Sequence, residues 1–186
     1  MDKNLDLAAR TVSIIDDLRS ESTHHVQKIG QAVALAGDVT DPSSCEEIIN
    51  QTVATFGRLD ILVNVVGVLG PKGTAVEVDL EGWARGLEVN VGSMMLMARY
   101  AIPAMRGNEG SQVRGSIVNI GSVAGLRGGT PSLLYPTSKG AVVNMTRAMA
   151  AQHGGEGIRV NCVCPGGYYL SYMSFGLSRG VCWLVR

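Results

Sequence analysis

The sequence predicts an α/β fold in which helices pack against a parallel sheet. Two observations carry this prediction: short apolar runs alternate along the chain with segments of helical periodicity, and each run ends at a polar residue or a glycine. Parallel strands need long crossover connections, and helices of the predicted length supply them. The 186 residues suit one folded unit, and a hydrophobic content of 46% is sufficient for a core.

The first predicted elements are a helix over residues 5–18, which would cover the sheet, and a buried strand over residues 33–36. The second helix begins after Asp41, because a carboxylate there can accept hydrogen bonds from the first-turn N–H groups and Pro42 suits the first helical position. Apolar residues then recur at spacings of three and four until Gly57, a residue typical of helix C-termini. This periodicity predicts that one face of the helix packs on the core.

Three strands and two further helices complete the predicted alternation. The strands are residues 59–63, 116–120 and 158–163, and the helices are a capped segment from Asp79 to Ile102 and a segment over residues 136–153. In an open parallel sheet a ligand lies beyond the carboxyl ends of the strands. We therefore expect the functional residues in the loops that follow these strands.

Sixteen basic and sixteen acidic residues give a formal net charge of +0. Such a chain has no overall field that would attract a nucleic acid or an anionic membrane surface, so neither is an expected partner. No apolar run reaches the ~20 residues of a membrane span, and the first residues lack the basic flank and apolar stretch of a signal peptide. The sequence therefore predicts a cytoplasmic protein.

The chain has four cysteines, Cys45, Cys162, Cys164 and Cys182. They are too few for a disulfide scaffold at this length, and their spacing lacks the paired C-x-x-C ends of a zinc site. We expect unpaired thiols and no metal centre.

Tyr135 and Lys139 form the pair most suited to chemistry. Pro136 disfavours the helical conformation at the residue before it, so Tyr135 is expected at a helix entrance. Lys139 lies four residues further on, and in a helical turn its ammonium and the phenol share one face. A nearby cation stabilises a phenolate and lowers the pKa of the phenol, which makes Tyr135 a candidate general acid and base. Ser122, at the end of a predicted strand, can offer a hydroxyl to the same reacting oxygen.

Four ordered motifs surround this pair. They are Phe56-Gly-Arg-Leu-Asp-Ile-Leu-Val-Asn64, Gly115-Ser-Ile-Val-Asn-Ile-Gly-Ser-Val-Ala-Gly125, Tyr135-Pro-Thr-Ser-Lys139 and Ile158-Arg-Val-Asn-Cys-Val-Cys-Pro-Gly166. Their order and spacing resemble the successive signatures of the short-chain dehydrogenase/reductase family. The resemblance runs from about residue 2 to Gly166, which is most of the chain.

The resemblance implies a Rossmann-like, doubly wound parallel sheet and an oxidoreductase that transfers a hydride between NAD or NADP and a small-molecule alcohol or ketone. Tyr135 matches the family's catalytic acid and base, and Ser122 matches the serine that polarises the substrate oxygen. Lys139 matches the lysine that tunes the tyrosine and holds the nicotinamide ribose. Asn90 matches the asparagine that supports a water relay to this lysine, and an asparagine that caps or kinks a helix is the alternative at this position.

The resemblance also implies where the cofactor binds. In addition to Tyr135 and Lys139, the matching positions are Asp38 and Val39 beside the adenine, Asn64 and Gly67 beside the adenosine path, and Pro165 and Gly166 against the nicotinamide. Asp2 resembles the acid that accepts hydrogen bonds from the adenosine ribose and repels a 2′-phosphate, which favours NAD over NADP. An acid at this position is otherwise a solvated terminal residue.

The sequence departs from the family pattern at both ends. The first strand and its Gly-rich phosphate-binding turn should precede Asp2, and the residues after Gly167 do not resemble the family's substrate-covering segment or last strand. We therefore expect an incomplete Rossmann-type domain over residues 1–167 and a tail unlike the family over residues 168–186. The apolar end of this tail has no partner strand in the predicted sheet, and it is either an exposed apolar surface or a structural element. A truncated gene model would explain both ends, and so would a genuine short form.

This incompleteness leaves two functional interpretations open. An incomplete sheet exposes unpaired backbone groups and apolar faces, and a missing Gly-rich turn weakens the binding of a pyrophosphate. The first interpretation is an active short-chain oxidoreductase, which is expected to be a homo-oligomer. The alternative is a catalytically inactive relative that associates with full-length subunits through the helices that carry Asn90 and Lys139.

Overall fold

The computed structural model describes residues 5–21, 30–110, 112–166 and 182–185, and these residues form five α-helices and four strands. The helices are α1 (Leu5–Glu21), α2 (Pro42–Phe56), α3 (Leu80–Leu87), α4 (Ser93–Arg106) and α5 (Leu134–His153), and the strands are β1 (Ile61–Asn64), β2 (Gly115–Ile120), β3 (Ile158–Val163) and β4 (Cys182–Val185). A π-helical turn over Glu88–Gly92 joins α3 to α4, and a 3₁₀ turn over Val123–Gly125 follows β2.

The four strands form one sheet in the order β3-β2-β1-β4. β1 is parallel to β2, with Ile61 opposite Ser116, and β2 is parallel to β3, with Gly115 opposite Ile158. Helical segments connect β1 to β2 and β2 to β3, as the sequence predicts. β4 runs antiparallel to β1 and pairs Val185 with Ile61.

The starts of α2 and α3 and the end of α2 form as the sequence predicts. The helix predicted from Asp79 to Ile102, in contrast, is divided by the π-helical turn and ends at Arg106, and α5 begins two residues before Pro136. Asp41 has an extended conformation, and its Oδ2 accepts a hydrogen bond from Ser44 N at 2.9 Å. Gly57 closes α2 with a φ of 81°, a left-handed conformation that favours glycine because it has no Cβ. Asp79 caps α3, where its carboxylate accepts hydrogen bonds from the first-turn N–H groups.

The hydrophobic core lies between one face of the sheet and the helices α2, α4 and α5. Leu62, Ile117 and Val160 are in register on this face, and all three are buried. α2 and α4 contribute buried side chains to the same cluster, and Met149 of α5 packs against it. The alternate strand residues are half-buried or exposed, and Val163 is 50% exposed. These three helices therefore cover one face of the sheet and position its carboxyl edge.

Two predicted elements that precede β1 differ from the structure. Residues 33–35 are not in a strand, and Ala36 forms a single bridge. A strand persists only where neighbours satisfy its backbone groups, and in the described sheet both edges of β1 are already paired, with β2 and β4. α1 forms as predicted and extends to Glu21, but Leu7 and Ile14 are 45% and 52% exposed. These two side chains do not cover the sheet, so the predicted covering role of α1 is wrong there.

The C-terminal tail differs from the prediction in one respect. Its apolar end is expected to have no partner strand, whereas Cys182–Val185 pair with β1. Without β4, this edge of β1 would present unpaired N–H and C=O groups, and the extended segment Cys182–Val185 satisfies them. Residues 167–181 lie outside the described residues, as does Asp2. In the part of the chain that the structure describes, no helix combines the length and apolar character needed to cross a membrane.

Candidate active site

The carboxyl ends of β1, β2 and β3 meet at one edge of the sheet. Two backbone hydrogen bonds join the loops after β2 and β3: Gly121 N donates to Val163 O at 2.7 Å, and Val123 N donates to Pro165 O at 3.1 Å. These bonds lie on either side of Ser122. The predicted site residues of these loops are therefore held side by side, as the topology requires.

Tyr135 and Lys139 lie on the first turns of α5. Tyr135 N donates a hydrogen bond to Ser132 Oγ at 3.3 Å, which fixes the start of the helix. The half-buried Tyr135 ring faces Lys139, whose Nζ is 5.9 Å from the ring centroid. The spacing of four residues in a helical turn therefore places the phenol and the ammonium on one face, as the sequence predicts.

Lys139 extends from α5 to the end of β2. Its residue is only 4% exposed, and its Nζ donates a hydrogen bond to Ile120 O at 2.8 Å. Burial lowers the pKa of Lys139, because the charged form loses solvation, and the nearby Cys162 and Cys164 oppose this shift more weakly. An ammonium has three N–H donors. Among the described residues it donates only to Ile120, so two N–H groups can meet a ligand.

Ser122 begins the 3₁₀ turn that follows β2. Its Oγ accepts a hydrogen bond from Ala124 N at 3.1 Å. A serine hydroxyl is also a donor, and within the described residues this O–H donates to no protein group. Ser122 can therefore donate a hydrogen bond to a substrate oxygen at this edge.

Asn90 lies in the π-helical turn between α3 and α4 and is fully buried. Its Oδ1 accepts from Val68 N at 2.7 Å, and its Nδ2 donates to Val68 O and to Ser138 Oγ, both at 2.9 Å. π-helical turns are frequent at functional sites. Here the turn places the Asn90 amide against the backbone of Val68, in the loop that follows β1. The hydrogen bonds of Asn90 therefore link this loop to Ser138 of α5.

Gly67 leaves a space between the groups just described. A Cβ at this position would lie 3.3 Å from Lys139 Nζ and 3.6 Å from Asn90 Oδ1. A larger residue would therefore fill the volume next to the two unused N–H groups of Lys139. The absence of a side chain at Gly67 therefore leaves a small open space beside Lys139 Nζ, at the carboxyl end of β1.

The remaining predicted cofactor positions have different surroundings. The Asp38 Oδ1 accepts hydrogen bonds from Thr40 N at 2.9 Å and Thr40 Oγ1 at 2.7 Å, and the Val39 side chain is buried in the core. Asn64 is buried, and its Nδ2 donates to Asn119 Oδ1 at 2.8 Å. These contacts place Asp38 in the turn before α2 and Asn64 in the sheet.

The other predicted positions are either at the open edge or outside the described residues. Pro165 and Gly166 are exposed after β3, while Asp2 cannot be placed. No group of three His, Cys, Asp or Glu side chains that could hold a metal occurs in the part of the chain that the structure describes.

The structure adds residues that the sequence prediction missed. Ser138 is fully buried, accepts from Asn90 and donates to Tyr135 O at 2.8 Å. The backbone oxygen of Ile120 receives the Lys139 ammonium. Ser138 lies inside the Tyr135–Lys139 motif, so the sequence indicates that it is near the site. Its hydrogen-bond partner Asn90 is 48 residues away in sequence, so the sequence does not indicate this contact.

Comparisons with known proteins show what the chain is similar to. A family profile described as enoyl-(acyl carrier protein) reductase matches residues 8–174. The chain is 38% identical to meso-2,3-butanediol dehydrogenase of Serratia marcescens over 136 residues, which cover 73% of this chain and 52% of that protein. The chain therefore spans about half the length of this curated relative.

Solved structures give the same result. A short chain dehydrogenase from Mycobacterium smegmatis matches with a TM-score of 0.77 and 32% identity, over 89% of this chain and 63% of that one. The structure titled ElxO with NADP bound matches with a TM-score of 0.63 and 37% identity, over 69% of this chain and 50% of that one. These matches confirm the Rossmann-like α/β fold, and the chain belongs to the short-chain dehydrogenase/reductase family.

Proposed function

We propose that this protein is a nicotinamide-dependent oxidoreductase that interconverts an alcohol and a carbonyl compound. The observation that carries the proposal is the cluster at the carboxyl edge of the sheet. There the buried Lys139 faces the ring of Tyr135 and bonds the strand end that leads to Ser122. The names of the similar proteins, which include dehydrogenases, support the same class of reaction.

In this proposal Tyr135 moves the proton of the reacting oxygen. Its hydroxyl donates the proton to a carbonyl oxygen during reduction, and its phenolate accepts the proton from an alcohol during oxidation. The ammonium of Lys139 stabilises the negative charge on the phenolate oxygen, and burial strengthens this interaction because water screens it less. Ser122 holds the same substrate oxygen through the hydroxyl hydrogen that it can still donate.

The residues at this edge fit a nicotinamide cofactor. Such a cofactor supplies or accepts the hydride. Lys139 would hold hydroxyl groups of the cofactor through the two N–H groups that Ile120 leaves unused, and Gly67 keeps the space beside Nζ open. Asn90 positions this loop against α5, and Pro165 and Gly166 would line the opposite side.

The preference between NAD and NADP rests on Asp2 alone. A carboxylate at the adenosine ribose accepts hydrogen bonds from its hydroxyls and repels a 2′-phosphate, so we propose that NAD is preferred. Calorimetric titration with NADH and NADPH tests this preference. Asp2→Asn should reduce the difference in affinity between NADH and NADPH. A variant with the same difference in affinity as the parent would contradict the role of Asp2.

The role of Tyr135 is tested by Tyr135→Phe, which removes only the hydroxyl. We expect turnover to fall by at least about 10²-fold, with cofactor affinity unchanged, because the phenol acts only in proton transfer. Turnover is measured as the absorbance of the reduced cofactor with a panel of secondary alcohols, including vicinal diols such as the one named in the Serratia relative. Tyr100→Phe, on α4, is the matched control. A Tyr135→Phe protein with the parent rate would show that the assignment is wrong.

The role of Lys139 is tested separately by cofactor binding. Lys139→Met should weaken the binding of NADH and lower turnover, while Lys72→Met, at an exposed loop position, should change neither. A parent protein that binds neither cofactor and converts no alcohol would instead support the inactive interpretation, in which the chain associates with full-length subunits.

A further inference from the structure

Cys162 and Cys164 form a second chemical feature next to the proposed active site. Their Sγ atoms are 3.8 Å apart at the end of β3, and both residues are partly exposed. Neither is in a disulfide. Side chains two residues apart in a strand lie on the same face, so the sequence spacing itself brings the two sulfurs together.

The geometry allows these two sulfurs to bond. A disulfide needs an S–S distance of about 2.05 Å and Cα atoms roughly 4.4–6.8 Å apart. Two residues of strand rise separate the Cα atoms by about 6.6 Å, which is within this range. The sulfurs must approach by about 2 Å, and the Cβ atoms of a disulfide lie about 3.5–4.5 Å apart. Cβ atoms two residues apart on one face of a strand are separated by roughly the same 6.6 Å as their Cα atoms, so the cysteine segment must bend as the bond forms.

We propose that Cys162 and Cys164 are a redox-active dithiol, which a peroxide converts to an intramolecular disulfide, and that this closure displaces the loop that carries Ser122. The first part concerns a modification site and is independent of the proposed function. The second part links that site to the proposed active site.

The reaction proceeds in two balanced steps. The thiolate of one of the two cysteines attacks one peroxide oxygen, so that an S–O bond forms, the O–O bond breaks and hydroxide leaves as water after protonation. The sulfur of the other cysteine then displaces the hydroxyl of the sulfenic acid, so that the S–S bond forms, the S–O bond breaks and a second water leaves with the thiol proton. The two sulfurs lose two electrons in total, and the peroxide gains them.

Either thiol can be oxidised first, and the other then closes the disulfide. Burial, and next the hydrogen bond with Cys164, raise the pKa of Cys162, because the thiolate loses solvation. The second step is intramolecular between atoms already near contact, so it has a high effective concentration.

The backbone connects the dithiol to Ser122. A Cβ on Gly121 would lie 2.8 Å from Cys162 Sγ and 2.9 Å from Cys164 Sγ, so both sulfurs pack directly against the residue before Ser122. Val163, which lies between the two cysteines, accepts the Gly121 N–H, and Pro165 accepts the Val123 N–H. Any shift of the cysteine segment therefore acts on the backbone on both sides of Ser122.

Peptide mapping after peroxide treatment tests the disulfide. Trypsin places both cysteines in one peptide, residues 160–179, and places Cys45 and Cys182 in two others. We expect the 160–179 peptide to lose two hydrogen masses and become resistant to alkylation, and to recover both properties after reduction. Cys164→Ser should abolish this loss, and Cys182→Ser should preserve it. Disulfides that join Cys162 or Cys164 to another peptide, or oxygen added to one cysteine without loss of the second thiol, would overturn the proposal.

Hydrogen exchange tests the coupling to Ser122 without any assay of turnover. In the oxidised parent, the amides of residues 121–125 should exchange faster, because the bonds from Gly121 and Val123 are disturbed. The same treatment of Cys164→Ser should leave their exchange unchanged. If the disulfide forms but the exchange of these amides does not change, then disulfide formation does not displace the loop that carries Ser122, and the second part of the proposal is wrong. Both readouts remain decisive if the protein turns over no alcohol.

Discussion

Alanine at position 125 would test how closely the loop that carries Ser122 packs on α5. A Cβ on Gly125 would lie 2.6 Å from both the Lys139 carbonyl oxygen and the Gly140 N, whereas real Cβ atoms essentially never approach another heavy atom within 3.0 Å. Both atoms belong to the helix backbone, so no side-chain rotation can relieve the contact. The alanine methyl must therefore separate the loop from α5.

The structure sets the magnitude of this effect. Ordinary contact begins at 3.4 Å, and the Lys139 carbonyl carbon is closer still than these two atoms, so the loop and the helix must move apart by at least about 0.8 Å. Overpacking of this kind costs about 1–3 kcal/mol. Alanine also restricts the unfolded chain more than glycine does, which contributes about 0.4–1 kcal/mol of stability at compatible positions. We expect Gly125→Ala to lower the free energy of unfolding by about 1–2 kcal/mol.

Urea denaturation of Gly125→Ala and Gly128→Ala measures the difference. Gly128 is the matched control, because a Cβ there would meet nothing within 4 Å. Gly128→Ala should be as stable as the parent or slightly more stable, and should keep its turnover. Gly125→Ala should also lose turnover, since Ser122 and Lys139 are moved apart. Equal stability of the two variants would refute the close approach of the loop to α5.

Three further substitutions give measurable outcomes. Burial raises the pKa of Cys45 from 9.0 to about 11, so the folded protein holds this proton more tightly than the unfolded chain does. The free energy of unfolding of the parent should therefore fall by up to about 3 kcal/mol between pH 9 and pH 11. Cys45→Ala should remove that decrease in denaturation experiments at the two pH values, and an identical decrease would contradict the assignment. Thr146→Val removes the hydroxyl that accepts a hydrogen bond from Asn119 Nδ2 at 3.0 Å, and it should lower the free energy of unfolding in urea by about 1–3 kcal/mol. Thr137→Val, which removes an exposed hydroxyl of the same helix, should lower it much less. Burial lowers the pKa of Lys139, so the unfolded chain binds this proton more readily than the folded protein does. The charged Lys139 therefore lowers the free energy of unfolding at pH values below its folded pKa, and this destabilisation disappears as the pH rises toward 10.5. Lys139→Met should therefore be at least as stable as the parent at neutral pH, and lower stability would count against a buried-charge penalty.

Most helices and strands near the site could be predicted because their signals are local. The caps at Asp41 and Asp79 and the stop at Gly57 depend on hydrogen bonds within a few residues. The same holds for Tyr135 and Lys139, because a single helical turn places them on one face. Ser122 could be placed at the site edge because the carboxyl ends of parallel strands meet.

The partners of the site residues could not be predicted in this way. Asn90 bonds Val68, 22 residues away, and Ser138, 48 residues away, and Lys139 bonds Ile120, 19 residues away. A motif shows that such a residue is present but not which backbone atom it meets. That choice depends on the relative positions of the elements, which the packing of the core sets.

The alternation of helices and strands, the family and the pair Tyr135 and Lys139 can be read from the amino-acid sequence, because periodicity, capping and motif spacing act over a few residues. The pairing at the edges of the sheet is known only from the three-dimensional structure: residues 33–35 form no strand, while Cys182–Val185 pair with β1. A strand is stabilised by hydrogen bonds to a neighbour that comes from a distant part of the chain, so an apolar run alone does not specify whether that neighbour is available.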